Sequence, residues 1–319
     1  MTENRWALSL IGFLFLAFAA IAGFNYWMDP YMTFTHSHSL NNKQSSHTEF
    51  YAKVYHLLKN PGRYRQVVVG GSSAAHINVS EDTFNFGVSG FTLADAALTL
   101  EFLGKNQPQL QKIFLGAEGF QYMLRHTRLD GDVTIFDHVA DPLYRYKNLL
   151  QLTTLQYSIT NFLNNFRPVS GYYYDRQFKV YIDRQPMVRY STGLFNRHDV
   201  NSEYEHYLQQ IKKNNIPVVF YTSPMSEERL RLWHQYRYDD YENWLRTLVK
   251  YAGSVEHFAY LNEITKTAAD NFTSDTHFYE PVGKLIFERL TGGPSNGFGV
   301  TLTPSNLEAE LKRERDLLN

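Results

Sequence analysis

The sequence contains no cysteine among its 319 residues. Disulfide frameworks, thiolate zinc sites and cysteine nucleophiles are therefore all excluded. It also has no surplus of charge, because 31 Lys and Arg side chains are balanced by 32 Asp and Glu side chains, for a formal net charge of -1. Nucleic-acid-binding proteins carry an excess of basic residues, so we expect no nucleic-acid partner.

Three well-known site signatures are missing as well. The sequence has no G-x-G-x-x-G turn, no Gly-Lys-Ser/Thr phosphate loop and no G-x-S-x-G nucleophile elbow. Ser89 comes nearest to the elbow, but Phe91 stands where the second glycine is required. We therefore expect neither a dinucleotide nor any other cofactor.

What the sequence does have is one long apolar run, from Trp6 to Met28. None of its 23 residues is charged at neutral pH, and at about 1.5 Å per residue they reach roughly 34 Å, enough to cross a bilayer. Arg5 precedes the run and Asp29 follows it, which favours a cytoplasmic amino terminus. The run predicts an N-terminal membrane anchor over residues 1–28.

This anchor places the protein in the inner (plasma) membrane as a single-pass protein, with its main domain in the periplasm or outside the cell. Two alternatives remain open for the run. One is a cleavable signal peptide with Ala20-Ile21-Ala22 as the cleavage site, and the other is a buried core helix.

Residues 29–49 are polar and irregular and predict a juxtamembrane linker. His36, His38 and His47 lie there, but no carboxylate or further histidine stands at ligand spacing, so a solvated loop is expected and no metal site.

From residue 50 to 291, helical and strand patterns alternate. We predict strands at 66–69, 83–88, 112–116, 217–221 and 255–261, and helices at 50–58, from 92 onward, at 204–213 and at 281–290. Strands joined through helices form a parallel sheet, so the pattern predicts a three-layer α/β/α domain, flavodoxin-like in architecture. Residues 292–319 predict a linker and a terminal helix.

The segment from about 120 to 200 is an aromatic-rich insertion into this domain. Its aromatic and basic residues indicate either a platform that stacks sugars or an insertion that packs its rings onto the sheet. These residues are Tyr144, Tyr146, Tyr157, Tyr172, Tyr173, Tyr174, Tyr181, Tyr190, Arg145, Arg176, Arg184 and Arg189.

Three glycine-bearing turns follow predicted strands, at residues 70–73, 87–90 and 116–119. Ligand sites of open parallel sheets lie at the carboxyl ends of the strands, so we expect these turns to share one rim. Ser72 would present its hydroxyl there as a nucleophile, or it would only cap a helix.

A serine nucleophile needs a base, and the segment Asp275-Thr276-His277 offers one just before the helix predicted at 281–290. An imidazole can accept the serine proton, and a carboxylate can fix the tautomer of that imidazole. In the alternative interpretation, Asp275 caps a turn and His277 is a surface residue.

The three glycine turns and the segment Asp275-Thr276-His277 form four short blocks. Together they resemble the SGNH (GDSL-type) hydrolase superfamily, most closely its membrane-anchored, DltD-like members that act on cell-surface polymers, as in polysaccharide O-acetylation. The resemblance runs from about residue 50 to 291. It implies that Ser72 is the nucleophile, with Gly71 in place of the usual Asp, and Ser73 is the alternative nucleophile if the match slides by one residue. It also implies that the N–H groups of Gly90 and Ser72 bind the oxyanion.

Two of the four blocks depart from the superfamily pattern. Glu118 replaces the usual Asn of the third block, and if ionised it would repel the oxyanion. In the last block, Ser274 stands three residues before His277 where an Asp is usual, and the acid is displaced to Asp275.

The resemblance implies a serine acyl-esterase or O-acyltransferase that acts through an acyl-serine on a cell-envelope glycan or another acylated polymer. A membrane-bound O-acyltransferase would supply the acyl groups. The alternative is a catalytically degenerate scaffold that binds glycan or organises an envelope biosynthesis complex. Glycoside hydrolysis has little support, because no pair of carboxylates lies at the predicted strand ends.

Overall fold

The computed structural model describes residues 3–118, 136, 139–169, 172–182, 203–294 and 296–319. The chain divides into two compact units: the first comprises residues 1–59 and 134–183, and the second comprises residues 60–133 and 184–319. Within the described ranges there are twelve α-helices and nine strands. The helices are α1 Glu3–Met28, α2 Glu49–Lys59, α3 Ser72–Ala75, α4 Leu93–Asn106, α5 Tyr144–Lys147, α6 Leu152–Leu163, α7 Tyr204–Lys212, α8 Glu227–Ala252, α9 Glu263–Lys266, α10 Ala268–Asn271, α11 Glu280–Leu290 and α12 Leu307–Leu318.

The second unit is built on a six-stranded sheet with the order β3-β2-β4-β7-β8-β9. Its first five strands are parallel, and β9 runs antiparallel to β8. These strands are β2 Gln66–Gly70, β3 Thr83–Gly87, β4 Lys112–Gly116, β7 Val218–Thr222, β8 Val255–His257 and β9 Val300–Leu302. The predicted mixed α/β architecture with a parallel sheet is confirmed.

The central strands of this sheet are buried on both faces. Val67, Val68 and Val69 are fully buried, as their uninterrupted β-branched run predicts. Val68 shares one apolar cluster with Ile286 of α11. Helix α4 begins where predicted, because the Thr92 hydroxyl accepts a hydrogen bond from the Asp95 N–H and the Asp95 carboxylate accepts one from the Thr92 N–H.

The chain order of these strands fixes where a site can form. The chain passes from β2 to β3 on one side and then crosses back to β4 on the other side of β2. In doubly wound sheets, ligands bind at the carboxyl ends of the strands beside such a reversal. The reversal here lies between β2 and β4. Ser72 follows the carboxyl end of β2 and Glu118 follows that of β4, each by two residues.

Two predicted boundaries differ from the structure. Strand β8 ends at His257 and not at residue 261, because the N–H groups of Phe258 and Ala259 donate to the Thr222 hydroxyl and leave the ladder. Residues 292–319 are not only a linker and a helix, since β9 adds a strand to the sheet and Leu302 is buried. A three-residue strand is too short to show a periodic pattern.

The first unit joins the amino-terminal residues to part of the predicted insertion. It contains an antiparallel sheet of β1 Gln44–Ser45, β5 Tyr172–Tyr174 and β6 Val180–Ile182, in the order β1-β5-β6. Helix α2, expected as the first element of the α/β domain, belongs to this unit instead. The predicted linker over 29–49 is likewise part of it, because Gln44 and Ser45 pair with β5.

Helix α1, Glu3–Met28, lies within the predicted anchor, begins three residues before the apolar run and ends with it at Met28. The most apolar 18-residue stretch within Arg5–Met28 has a mean hydropathy of 2.4, and none of that stretch is buried. The helix is therefore long and apolar enough to span a membrane or to be a signal sequence.

Candidate active site

The candidate nucleophile lies at the first turn of a short helix. Gly71 caps α3, and Ser72 is its first residue, directly after β2. Asn85 holds this helix in place, because its amide donates to the carbonyl groups of Ala74 at 2.9 Å and Ile77 at 2.8 Å. The Asn85 side-chain oxygen accepts from the Gly87 N–H at 2.7 Å, so one buried amide joins α3 to the turn after β3.

Glycine is required where that turn passes α3. A Cβ on Gly87 would lie 2.2 Å from the Ala75 nitrogen, far inside van der Waals contact. Gly90, at the exposed end of the same turn, has a φ of 68°, in the left-handed region that favours glycine. Within the described part of the chain, neither the Gly90 N–H nor the Ser72 N–H donates a hydrogen bond, so both are available to an oxyanion.

His277 is brought to Ser72 by a loop closed at its base. Phe272 and Phe278 form an antiparallel bridge and are both fully buried, and the Thr273 N–H donates to the His277 carbonyl at 2.8 Å. Helix α11, which follows this loop, approaches α3 closely, because a Cβ on Gly283 would lie 2.1 Å from the His76 carbonyl oxygen.

The structure brings Ser72 and His277 together although 205 residues separate them in the chain. The Ser72 Oγ lies 2.7 Å from the His277 Nε2. Burial lowers the pKa of His277 to about 4, so its imidazole is neutral at physiological pH and Nε2 can serve as a base. The same lowered pKa makes it a weaker base than an unperturbed histidine.

The partner on the other side of the imidazole is a hydroxyl. The His277 Nδ1 lies 2.7 Å from the Ser274 Oγ, which also accepts from the His277 backbone N–H at 3.2 Å. If Nδ1 carries the proton and donates it to Ser274, the lone pair of Nε2 faces Ser72, as proton abstraction requires. The residue three positions before the histidine thus contacts the imidazole, but it is a neutral serine.

Asp275, predicted to orient the imidazole, makes a different contact. Its carboxylate lies 3.3 Å from the Arg229 guanidinium, and both side chains are buried. Its carbonyl accepts from the Ser226 N–H at 2.9 Å, at the start of α8. Asp275 therefore joins the loop at 273–277, here called the histidine loop, to α8. Ser274, and not Asp275, contacts the imidazole, because neighbouring residues of this tight turn point in different directions.

Ser73, the alternative nucleophile, also has a different partner. Its side chain is buried, and its hydroxyl donates to the Thr276 carbonyl at 3.0 Å. Of the two neighbouring serines, only Ser72 hydrogen bonds to the imidazole within the described residues. Ser73 holds the histidine loop against α3.

Glu118 lies close to Gly71, the residue that caps α3. Its Cγ lies 4.0 Å from the position that a Cβ on Gly71 would occupy, and the Ser223 hydroxyl donates to its Oε1 at 2.6 Å. Burial raises the pKa of Glu118 to about 7, although the hydrogen bond from Ser223 opposes this shift. The expectation of an ionised, repelling Glu118 therefore applies only above about pH 7, and below it the neutral acid is a hydrogen-bond donor.

The sequence identified Ser274 as the residue three before His277, but the role of orienting the imidazole was expected for Asp275. Ser223 and Arg229 were not identified as neighbours of the site. Ser223 and Arg229 follow β7, far from every recognised block, and no local signal points to them.

The aromatic insertion is described only in part. Tyr172 and Tyr174 are buried inside the first unit, and the Tyr172 hydroxyl donates to the Glu49 carboxylate at 2.6 Å. Arg176 pairs with Asp29 at 2.7 Å in the same unit. These contacts agree with a packing role for part of the set, whereas Arg184, Arg189 and Tyr190 lie outside the described residues.

The described side chains form no metal site, and comparison with known proteins finds no family. Among the described residues, no group of three or more His, Asp or Glu side chains could hold a metal ion. No model of a known protein family matches the chain, and no curated protein matches it significantly. The geometry of the site is that of a serine–histidine pair at the carboxyl edge of a parallel sheet.

Proposed function

We propose that this protein is a membrane-anchored, SGNH-type serine acyl-esterase or O-acyltransferase that acts on a cell-envelope glycan or another acylated polymer outside the cytoplasm. The observation that carries the proposal is the 2.7 Å contact between the Ser72 Oγ and the His277 Nε2, next to a Ser72 N–H that donates no backbone hydrogen bond within the described residues. The order of the five parallel strands and the position of Ser72 directly after β2 support an α/β/α fold of this type.

In the proposed mechanism, the His277 Nε2 takes the Ser72 hydroxyl proton while the Ser72 Oγ bonds to the acyl carbon of an ester. The resulting oxyanion accepts hydrogen bonds from the N–H groups of Gly90 and Ser72. The ester C–O bond then breaks, and His277 returns the proton to the leaving alcohol. Water or a sugar hydroxyl attacks the acyl-serine by the same steps in reverse.

The membrane part of the proposal is supported by α1. Its apolar side chains are exposed over the length of a bilayer, as expected for a helix surrounded by lipid. A membrane anchor with a cytoplasmic amino terminus would hold the acyl chemistry close to polymers that are assembled at the outer face of the membrane.

A fluorophosphonate probe tests the nucleophile directly, because it reacts covalently with an activated serine. We expect the purified full chain to be labelled, the Ser73→Ala variant to be labelled as well, and the Ser72→Ala variant to remain unlabelled at an unchanged melting temperature. Labelling that survives in Ser72→Ala, or no labelling of the folded wild-type chain, would contradict the proposed acyl transfer.

A catalytically degenerate scaffold is the second candidate, and Ser274 is the observation that favours it. A neutral hydroxyl behind His277 stabilises the imidazolium less than a carboxylate does. An unlabelled but folded wild-type chain that binds an envelope glycan would support this candidate instead.

A further inference from the structure

Helix α6 of the first unit has the reverse of the usual polarity. Its buried residues are the polar Thr154, Ser158 and Asn161, which follow one another at helical spacing. On the other side, Leu152 is 71% exposed and Ile159 is 44% exposed. A helix on a protein in water normally buries its apolar stripe and exposes its polar one, so the outer surroundings of α6 are expected to be apolar.

The polar side of α6 is turned inward for a structural reason. The Asn161 amide donates to the Gln44 side chain, and its oxygen accepts from the Ser45 N–H at 2.9 Å. The helix thus satisfies the polar groups of β1, and its apolar side chains are left to face outward.

The apolar side of α6 continues into neighbouring segments. Leu150, just before the helix, is 54% exposed, and Phe166, just after it, is 66% exposed. We define the interfacial face as Leu150, Leu152, Ile159, Leu163 and Phe166. All five belong to the first unit, and all five are exposed.

This face adjoins the end of α1. The Phe162 ring packs against Phe24 and Trp27 of α1, with ring centroids 6.3 Å and 6.4 Å apart. The Asn25 side chain donates to the Leu149 carbonyl at 2.8 Å, which fixes the chain before α6 to the last turns of α1. Tyr26 and Trp27 are half-exposed at this level, and such aromatic side chains favour the headgroup region of a bilayer.

We propose that the interfacial face lies in the membrane, in the boundary between headgroups and acyl chains of the leaflet from which the carboxyl end of α1 emerges. The inference rests on the proposed anchoring by α1. Lipid is the occupant because the face is continuous with the exposed apolar surface of α1 at the depth where that helix leaves the bilayer. Exposed Arg167, beside Phe166, is placed to meet anionic headgroups. The first unit would then be held by α1 and by a second, shallow contact.

The absence of cysteine makes this proposal simple to test. Single cysteines are introduced by Leu152→Cys or Ile159→Cys, labelled with an environment-sensitive fluorophore, and the full chain is reconstituted in vesicles of phosphatidylcholine and phosphatidylglycerol. Phe13→Cys in α1 reports the anchor, and Leu317→Cys in the second unit is an exposed apolar control. Quenching by lipid nitroxides, placed near the headgroup or near the bilayer centre, is compared with quenching by aqueous iodide.

We expect the labels at positions 152 and 159 to be quenched several-fold more by the headgroup nitroxide than the label at 317, and to be protected from iodide. If the label at 13 is quenched by lipid but those at 152 and 159 behave like 317, the interfacial contact is wrong and the anchor stands. Without lipid quenching at 13, the anchor itself is wrong. Protection of 152 and 159 from both quenchers would show that protein, such as a second copy, covers the face, and would overturn the proposal.

Discussion

The second unit contains two clusters in which an imidazole lies between a hydroxyl and a further polar group, within hydrogen-bond distance of both. The front cluster is Ser72, His277 and Ser274. The buried cluster is Thr222, His257 and Glu314, where the Thr222 Oγ1 lies 2.8 Å from the His257 Nδ1 and the Glu314 Oε1 lies 3.2 Å from the His257 Nε2. Only the buried cluster has the carboxylate that a complete triad requires.

The hydroxyls of the two clusters differ in what surrounds them. Thr222 is fully buried, and its oxygen accepts from the N–H groups of Phe258 and Ala259. The Ser72 hydroxyl is partly exposed, and its hydrogen bond to His277 is the one that the described structure gives it. Among the described residues, therefore, the front cluster is the more exposed of the two.

A hydroxyl, an imidazole and a carboxylate in hydrogen-bond contact do not by themselves make a functional site. The buried cluster uses its hydrogen bonds to attach α12 to the sheet, and the Tyr241 hydroxyl strengthens it by donating to Glu314 at 2.6 Å. The front cluster has a serine hydroxyl in place of the carboxylate, but its candidate nucleophile is partly exposed.

The largest expected effect separates the two histidines. His277→Ala removes the base and is expected to lower the hydrolysis rate of an activated acetyl ester by about 10³-fold or more, with little change in stability. His257→Ala leaves a buried carboxylate without its imidazole and is expected to lower the free energy of unfolding by about 2–4 kcal/mol. Ester hydrolysis and urea denaturation of both variants measure the two effects, and a loss of rate in folded His257→Ala equal to that in His277→Ala would remove the distinction.

The second prediction completes the front cluster. Ser274→Asp places a carboxylate at the His277 Nδ1, which should raise the pKa of His277 by about one to three pH units. Because a more basic, better-stabilised imidazole is a better catalyst near neutral pH, we expect the rate to rise about 10- to 100-fold. The histidine titration by NMR and the ester hydrolysis rate measure these changes.

Asp275→Asn is the matched control for this variant. It removes one charged partner of the buried Arg229 and should reduce stability, without changing the pKa of His277 or the rate per folded molecule. If Asp275→Asn lowers the rate while Ser274→Asp does not raise it, Asp275 orients the imidazole after all.

The smallest effect concerns the pH profile. His277 must be neutral, so activity should disappear as the pH falls through about 4, where its imidazole becomes protonated. Glu118 should be neutral near the oxyanion, so activity should also fall as the pH rises through about 7, by up to about tenfold between pH 6 and pH 8. Glu118→Gln should abolish the upper fall, as measured by kcat/KM for the ester.

Ser223→Ala sharpens the same test. The Ser223 hydroxyl stabilises the ionised form of Glu118, so its removal should move the upper fall to higher pH. An upper fall that stays at the same pH in both variants would mean that another group controls it.

The parallel strands could be predicted from the sequence because their signals are local. The run Val67 to Val69 and the turn residues after it define β2 without reference to any other segment. The Thr92 cap is local in the same way. Helix α8 and strand β9 were not predicted, since the first has many charged and aromatic residues and the second is only three residues long.

The site could be predicted in part for the same reason. Ser72 and His277 each stand at a recognisable distance from an element boundary, and the resemblance connected them. Side-chain direction in the loop at 273–277 could not be predicted, because a difference of one residue decides whether a side chain meets the imidazole or Arg229. The ionisation of Glu118 depends on burial among residues that are distant in sequence.

From the sequence alone it follows that no cysteine can serve as a nucleophile, that one apolar segment is long enough to cross a membrane, and that glycine turns follow the strands predicted for a parallel sheet. Composition and local pattern are sufficient for these statements, since each follows from residues that are close together in the chain. The tertiary packing places Ser274 and not Asp275 against His277, directs the Ser73 hydroxyl to the Thr276 carbonyl, and leaves the apolar side of α6 exposed. Those outcomes depend on contacts between residues far apart in sequence, whose geometry and burial no local pattern contains.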